Sequence, residues 1–187
     1  MTSIDELRLD IAKEQKKGLP FILSSIIIWA LIAIVSTLEL PIMTKNLLVF
    51  CCSCPLMPLS IGMSKIIHVD LFSKKNPLNS LGLLFTLNQF LYILIVMWVY
   101  SAVPQKMIMV YGMVFGAHLL PYSWLYKSAS YRVFAIIIPI MVLILGHITS
   151  STILALMIMA AETIFAALLV KEVKDLENID LESVKEV

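Results

Sequence analysis

Residues 153–170 read ILALMIMAAETIFAALLV, an almost unbroken apolar run with one carboxylate, Glu162, near its middle. At about 1.5 Å per residue, roughly eighteen apolar residues in a helix cross the hydrocarbon core of a bilayer. An ionised side chain at that depth costs about 3 kcal/mol unless it is solvated, neutralised or paired. The stretch therefore predicts a transmembrane helix whose neighbours must satisfy Glu162.

The composition of the whole chain agrees with this prediction. Of the 187 residues, 60% are hydrophobic and only 14% are charged, whereas about 25% are charged in soluble domains. The lipid bilayer is therefore the expected partner. A net charge of +1 gives no basic face for nucleic acid. The first apolar run lacks a signal-peptide cleavage pattern, so it is expected to stay as an anchor.

Five further apolar runs precede the stretch, and each is close to the length that a tilted transmembrane helix needs. None shows the alternation of polar and apolar residues that is typical of β-barrel strands. The sequence predicts an all-α polytopic membrane protein, a bundle of six transmembrane helices, at residues 19–38, 47–67, 81–100, 107–126, 133–145 and 153–170.

The basic residues of this six-span chain lie almost entirely on one side of the membrane. The other side has only Lys45 and Lys106, whereas the first side has twelve: Arg8, Lys13, Lys16, Lys17, Lys65, Lys74, Lys75, Lys127, Arg132, Lys171, Lys174 and Lys185. Because cytoplasmic loops are rich in Lys and Arg, both termini are predicted to be cytoplasmic.

A polar segment flanks the spans at each end. Residues 1–18 are predicted to form a short amphipathic helix that rests on the headgroups, with Ser3 and Glu6 at capping-box spacing. Residues 171–187 continue the last span as a charged helical tail, which is expected to lie against the first segment.

Three stretches carry a family resemblance: KKGLPFIL at residues 16–23, FCCSCPLMP at 50–58 and HLLPYSWLY at 118–126. With them the chain resembles a family of small bacterial multi-pass membrane proteins that is known as a domain of unknown function. The resemblance covers nearly the whole chain and implies a bacterial origin and the inner membrane. It supplies no activity and no functional residues.

Polar side chains on several spans lie at a similar depth, near the bilayer centre. Counting from the outer ends of the spans places in this layer the residues Glu162, His118, Asn88, Gln89 and Tyr92. Because polar groups lack partners in lipid, these side chains are expected to converge inside the bundle. They are either interhelical hydrogen-bonding groups or a midplane site of the kind found in transporters.

The fourth span has features of its own. Gly112 and Gly116 form a GxxxG pattern, which lets a neighbouring helix or a second copy approach closely. Pro121 follows His118 and frees backbone carbonyls near it. A histidine and a carboxylate can exchange protons near neutral pH, so His118 and Glu162 are a candidate proton-linked couple.

Cys51, Cys52 and Cys54 lie within the second span. A Cys-x-x-Cys pair, Cys51 and Cys54, can support thiol or metal chemistry. An apolar setting disfavours thiolate, however, so packing is the favoured interpretation, with reduced, metal-free and largely buried thiols. No cofactor or metal is predicted, and the motifs of the common enzyme classes are absent from the sequence.

Three functional hypotheses follow. The leading one is a small solute or ion transporter, or a channel-like protein, with its site in the polar layer. The second is a non-transporting scaffold or sensor, in which Gly112 and Gly116 form a homo-oligomer. The third is a thiol or metal-handling membrane protein. The spans can also divide as three plus three of opposite orientation, a division favoured by Pro55 and Pro139 in corresponding spans.

Overall fold

The computed structural model describes residues 3–185, and its side chains as far as Asn178. Within these residues the chain is helical and has no strands. Its α-helices are α1 (Ile4–Glu14), α2 (Leu19–Thr37), α3 (Ile42–Ser53), α4 (Leu56–Ile66), α5 (Asn79–Ala102), α6 (Met107–His118), α7 (Leu120–Leu125), α8 (Ala129–Ile148) and α9 (Ser151–Lys185). Single 3₁₀ turns, Lys16–Gly18 and Pro104–Lys106, precede α2 and α6.

Six segments of this part of the chain are long and apolar enough to cross a membrane. They are α2 with its preceding turn, α3 with α4, α5, α6 with α7, α8, and the greater part of α9. The predicted all-α bundle of six spans is thus confirmed. The second and fifth spans begin earlier than the sequence predicts, since α3 begins at Ile42 and α8 at Ala129.

Proline breaks the second and the fourth span. Pro55 separates α3 from α4, and Pro121 lies in the first turn of α7, just after α6 ends at His118. Proline lacks the N–H that continues a helix, and its ring clashes with the preceding turn. Pro139, in contrast, lies inside the continuous helix α8. Pro55 therefore interrupts its span, whereas Pro139 does not interrupt the corresponding one. The three-plus-three division stays a prediction.

Helix α2 occupies the centre of the bundle. Its contact with α9 is the most extensive one between two helices of the described chain, and it also contacts α4 and α3. Trp29 and Ile32 of α2 and Phe165 of α9 are almost completely buried. The opposite extreme is α5, which buries only Val96 and Val99. α5 is therefore a peripheral helix, held by α6 and α7.

The two glycines of the GxxxG pattern lie between α6 and its neighbours in the same bundle. A Cβ atom at Gly112 would lie 2.7 Å from Ile158 of α9, and one at Gly116 would lie 2.6 Å from Pro139 and 2.8 Å from Ile138 of α8. Both glycines are buried. This face is therefore occupied within the bundle and is not open to a second copy.

The N-terminal helix folds back onto one end of the bundle. Ser3 and Glu6 form the predicted capping box, and Ile11 is buried. Arg8 donates to the Trp124 carbonyl oxygen at 2.8 and 2.6 Å, and its guanidinium lies 4.4 Å from the centre of the Trp124 ring. We call this end of the molecule the α1 end.

A clasp at the α1 end joins the first span to the last two. Lys17 lies in a left-handed turn (φ 52°) and is only 4% exposed. Its ammonium group donates to Glu172 of α9 at 2.6 Å. The same carboxylate accepts from the Ser128 hydroxyl at 2.7 Å and from the Ser130 amide at 2.9 Å. Glu172 thus satisfies a buried cation and caps the start of α8.

Candidate functional site

A cavity of about 670 Å³ runs from the α1 end into the middle of the bundle. Its walls come mainly from α2, α4, α5, α6 and α7, with Ser53 of α3 and Tyr131 of α8. α4 packs on α2, whereas α5 packs on α6 and α7, so a space remains between α4 and α5. This volume is within the range of 300–1,000 Å³ that is typical of small-molecule sites.

The cavity is open at the α1 end. Ser73, Lys74, Asn76 and Ser80 line it there, and Lys74 and Ser80 are exposed. Gln15 of the segment after α1 also lines this part, and its side chain donates to the Asp70 carbonyl oxygen at 2.8 Å. Polar side chains of the loop between α4 and α5 therefore form the mouth.

Hydrogen bonds between elements cross the opposite end of the bundle. Asn46 donates to the carbonyl oxygen of Pro104 at 2.8 Å, and Lys106 donates to that of Gly146 at 3.0 Å. None of these four residues lines the cavity. The cavity lining therefore does not extend to this end of the bundle.

One wall of the cavity is a continuous series of aromatic rings. The ring centre of Phe115 lies 5.7 Å from that of Trp29 and 5.3 Å from that of His118. His118 is followed by Tyr122 at 6.1 Å, and Tyr122 by Tyr131 at 5.8 Å. All of these side chains line the cavity. We call these five residues the aromatic wall.

Hydrogen bonds between helices hold the polar groups of the cavity in place. Thr86 of α5 lies 2.8 Å from the Tyr122 hydroxyl, and Ser53 of α3 bonds to the Tyr111 hydroxyl. The Tyr131 hydroxyl donates to the Lys17 carbonyl oxygen at 2.9 Å. These phenol groups are satisfied by protein partners, so the aromatic wall presents mainly ring surface.

Glu162 lies behind this cavity rather than in its lining. The side chain is 0% exposed, and its Oε2 lies 2.7 Å from the hydroxyl of Ser25. Ser25 itself lines the cavity, so one hydroxyl separates the carboxyl group from the open space. The second oxygen, Oε1, has no hydrogen-bond partner among the described residues.

The hydrogen atoms around Ser25 indicate which form of Glu162 fits. The Ser25 oxygen lies 2.7 Å from Glu162 Oε2 and 2.8 Å from the Ile22 carbonyl oxygen, but a hydroxyl has one hydrogen to donate. An ionised Glu162 would leave one of these two contacts without a hydrogen. A protonated Glu162 donates to Ser25, and Ser25 donates to Ile22, so both contacts are satisfied. The geometry fits the neutral acid.

The other residues predicted for the midplane site occupy different positions. His118 and Gln89 line the cavity, and the His118 Nδ1 is bonded to the Phe115 carbonyl oxygen. Asn88 is half-buried outside the lining, and Tyr92 is 37% exposed on the surface of α5. Within residues 3–178, neither a hydrogen bond nor an ion pair joins His118 to Glu162. The hydrogen-bond partner of Glu162 is Ser25 and not the predicted His118.

A protein-family model described as a family of unknown function (DUF7010) matches residues 4–172. The chain belongs to this family. The predicted membership of a domain-of-unknown-function family is thereby confirmed. Searches of the curated proteins and of the solved structures find no match for this DUF7010 member. Its function must therefore be inferred from the site.

Two features of this DUF7010 site are not among the sequence-based predictions. Ser24 and Ser25 are the only hydroxyl residues in the middle of the first span, and that pair is a detectable signal. The aromatic wall also has a signal, because its members Phe115, His118 and Tyr122 follow Tyr111 at spacings of three or four residues. Helical spacing alone, however, does not distinguish a cavity wall from a filled core.

The cysteines of the DUF7010 chain are not buried, which corrects the prediction. Cys51 and Cys54 are exposed and Cys52 is half-buried, and all three are free. α3 turns Asn46 and Val49 toward the bundle, so the neighbouring face with Cys51 points outward. In the described part of the chain, no group of three or more His, Cys, Asp or Glu side chains is arranged to hold a metal.

Proposed function

We propose that this DUF7010 member is a transporter of a small solute or ion, and that the cavity is its substrate site. The observation that carries the proposal is a cavity whose lining reaches the α1 end but not the opposite end, and in which Ser25 separates the open space from the buried Glu162. A transporter needs a central site that is exposed to one side of the membrane at a time. A channel would need an open path at both ends.

We further propose that the protein lies in the bacterial cytoplasmic membrane with both termini in the cytoplasm. The twelve basic residues on the terminal side of the six-span arrangement support this orientation, against two on the other side. The cavity mouth at the α1 end then faces the cytoplasm. In this state the protein is ready to load or release substrate there.

The scaffold hypothesis finds less support. It relies on Gly112 and Gly116 as a contact for a second copy, and both glycines are buried against α8 and α9. The thiol or metal hypothesis relies on Cys51 and Cys54, which are exposed and do not line the cavity.

Access to the cavity can be tested without knowing the substrate. Gln89→Cys is introduced into a variant in which the three native cysteines are serine, and membrane vesicles of both orientations are treated with a charged maleimide. A transporter should label rapidly from the terminal side and more slowly from the other side, as the cavity alternates. Tyr92→Cys is the matched control, because it lies on the same helix but on its outer surface. It should label from neither side.

Labelling of Gln89→Cys from the terminal side alone, even after long exposure, would contradict a transport cycle. The cavity would then belong to a receptor that binds its ligand without moving it.

A further inference from the structure

We propose that the cavity binds lipophilic organic cations, and that the bound cation replaces the proton of Glu162. This inference names the substrate class of the proposed transporter. It rests on the proposed function for movement across the membrane, but not for binding itself.

The aromatic wall is the first reason. The face of an aromatic ring is electron-rich and attracts cations, most strongly for Trp and Tyr, and quaternary ammonium groups are commonly held in this way. Here Trp29, Phe115, Tyr122 and Tyr131 lie along one cavity wall, with Tyr122 half-buried and each of the other three rings less than 10% exposed. Most of the remaining lining is apolar, including Phe21, Ile28 and Leu119. Such a surface suits a cation with bulky hydrocarbon groups.

The charges around the cavity are the second reason. Lys74 is the one charged residue in the described lining, and it lies exposed at the mouth. Deeper in the bundle, Glu162 is the carboxyl group next to the wall, and it has no cationic partner among the described residues. A cation bound at the wall has in Glu162 a counter-charge that is one hydroxyl away.

The other titratable groups packed around Glu162 cannot supply that charge. Tyr131 of α8 faces it but donates to the Lys17 carbonyl oxygen. On the α6 side, His118, the histidine of the described cavity lining, is bonded through Nδ1 to the Phe115 carbonyl oxygen. Glu172, farther along α9, is paired with Lys17, the cation at the start of α2. Among these groups only Glu162 is left to supply a negative charge, because an imidazole can gain a positive charge but not a negative one.

The exchange balances in protons and in charge. Before binding, the Glu162 carboxyl group donates to Ser25 and the Ser25 hydroxyl donates to the Ile22 carbonyl oxygen. When a cation binds, Glu162 loses its proton through the cavity to water, and the Ser25 hydroxyl turns to donate to the carboxylate. One positive charge enters as one leaves, so the interior never holds an unpaired charge, whose desolvation would be costly.

Two ions of nearly the same size and shape but opposite charge test the proposal on the unaltered protein. Equilibrium binding of tetraphenylphosphonium and of tetraphenylborate is measured in lipid nanodiscs, with empty nanodiscs subtracted. We expect the phosphonium ion to bind at least tenfold more tightly at pH 8.5. Its affinity should fall at least tenfold by pH 5.5, because protons compete for Glu162. Calorimetry in buffers of different ionisation enthalpy should show about one proton released for each cation bound.

Variants then locate the effect. Glu162→Gln should lose at least tenfold in phosphonium affinity, together with the pH dependence and the proton release. Glu177→Gln is the matched control, because Glu177 is exposed on the same helix, and it should bind as the unaltered protein does. If Glu162→Gln does not fold, two measurements on the unaltered protein decide the question. They are the comparison of the phosphonium with the borate and the release of protons on cation binding.

Equal or tighter binding of the borate, binding without proton release, or a Glu162→Gln variant with full affinity and pH dependence would overturn the proposal. Specific binding of neither ion would also overturn it and would indicate a space filled by lipid chains. Cation binding with proton release, but labelling of Gln89→Cys from one side only, would retain the ligand class and refute transport. Labelling of Gln89→Cys from both sides, without specific cation binding, would retain transport and refute the cation as its substrate.

Discussion

At the scale of single residues, the environment of Glu162 depends on Ser25. The bond between them is 2.7 Å long and joins the first span to the last. A buried acid with one partner is sensitive to the loss of that partner, because the cost of an unsatisfied buried group exceeds the net gain from one hydrogen bond. Ser25 is therefore expected to matter for stability as well as for the cavity surface.

We expect Ser25→Ala to lower the free energy of unfolding by about 1–3 kcal/mol, because it leaves both oxygens of Glu162 without a partner. Glu162→Gln keeps an acceptor and a donor beside Ser25 and should be nearly neutral. The combination of Ser25→Ala with Glu162→Leu should recover part of the loss. Chemical unfolding in detergent measures all of these variants. If the effects of Ser25→Ala and Glu162→Leu on the free energy of unfolding are strictly additive, the bond between the two side chains is absent in the detergent-solubilised protein.

His118 provides the comparison for this double-mutant cycle of Ser25 and Glu162. It does not bond to Glu162 within the described residues, so His118→Leu and Glu162→Leu should be additive within about 0.5 kcal/mol. A clear coupling between them would revive the direct pair that the sequence suggested.

The exposed cysteines lead to a labelling prediction. Cys51 and Cys54 lie on the outer surface of an apolar span, so a small lipid-soluble maleimide should reach them in intact membranes, although the reaction is slowed because the hydrocarbon region disfavours the reactive thiolate. A charged maleimide should react more slowly still, because it does not enter the hydrocarbon region. Mass spectrometry of the labelled chain distinguishes the two reagents. Rapid labelling by the charged reagent would place these thiols in contact with water.

The sequence predicted part of this site and not the rest, for a geometric reason. The rise per residue fixes the depth of Glu162, His118 and Gln89, and a lone carboxylate in an apolar run is easily noticed. The direction in which a side chain points depends on which neighbour covers each face. α5 is peripheral, so Tyr92 faces outward although its depth is suitable. Ser25 has no charge, so the sequence does not mark it as a site residue until its partner Glu162 is known.

At the scale of helices, the contact of α6 with α8 depends on a glycine. A Cβ atom at Gly116 would meet the Pro139 ring at 2.6 Å and the branched Ile138 side chain at 2.8 and 2.9 Å. Neither group can move aside easily, because one is a ring and the other is branched at Cβ. The two helices must therefore separate if a side chain is added.

We expect Gly116→Ala to destabilise the protein by about 1–3 kcal/mol, the usual cost of overpacking. Gly62→Ala is the matched control, since a Cβ atom at this helical glycine would meet nothing within 4 Å. That variant should be neutral or slightly stabilising. Thermal unfolding in detergent compares the two. Equal effects would mean that α6 and α8 are not in close contact.

The number and type of the helices follow from the sequence because hydrophobic length is a strong signal. The breaks inside the helices follow less directly. Pro55 and Pro121 end helices, whereas Pro139 does not. A proline can be retained in a helix when its neighbours accommodate the bend, and that depends on tertiary packing. Both breaks adjoin residues that line the cavity, Ser53 and Leu56 at one and His118 and Tyr122 at the other.

At the scale of the whole molecule, the distribution of positive charge makes a prediction about orientation. Reporter fusions after Lys75, Lys127 and Val187 should report cytoplasm, and fusions after Lys45 and Lys106 should report the outer side. Paired cytoplasmic and periplasmic reporters measure this. An outer-side signal after Lys75 or Val187 would reverse the orientation and place the cavity mouth outside.

The clasp at the α1 end joins the beginning of the chain to its end. Lys17 and Glu172 are partners across 155 positions, and Ser25 and Glu162 across 137. A ribosome makes the first span long before it makes the last. Until then, Lys17 and the α9-facing side of α2 have lipid, headgroups or water in place of their final neighbours. The central helix of the finished protein is thus the first to be inserted and among the last to be enclosed, and a chain that stops after α8 cannot complete its own centre.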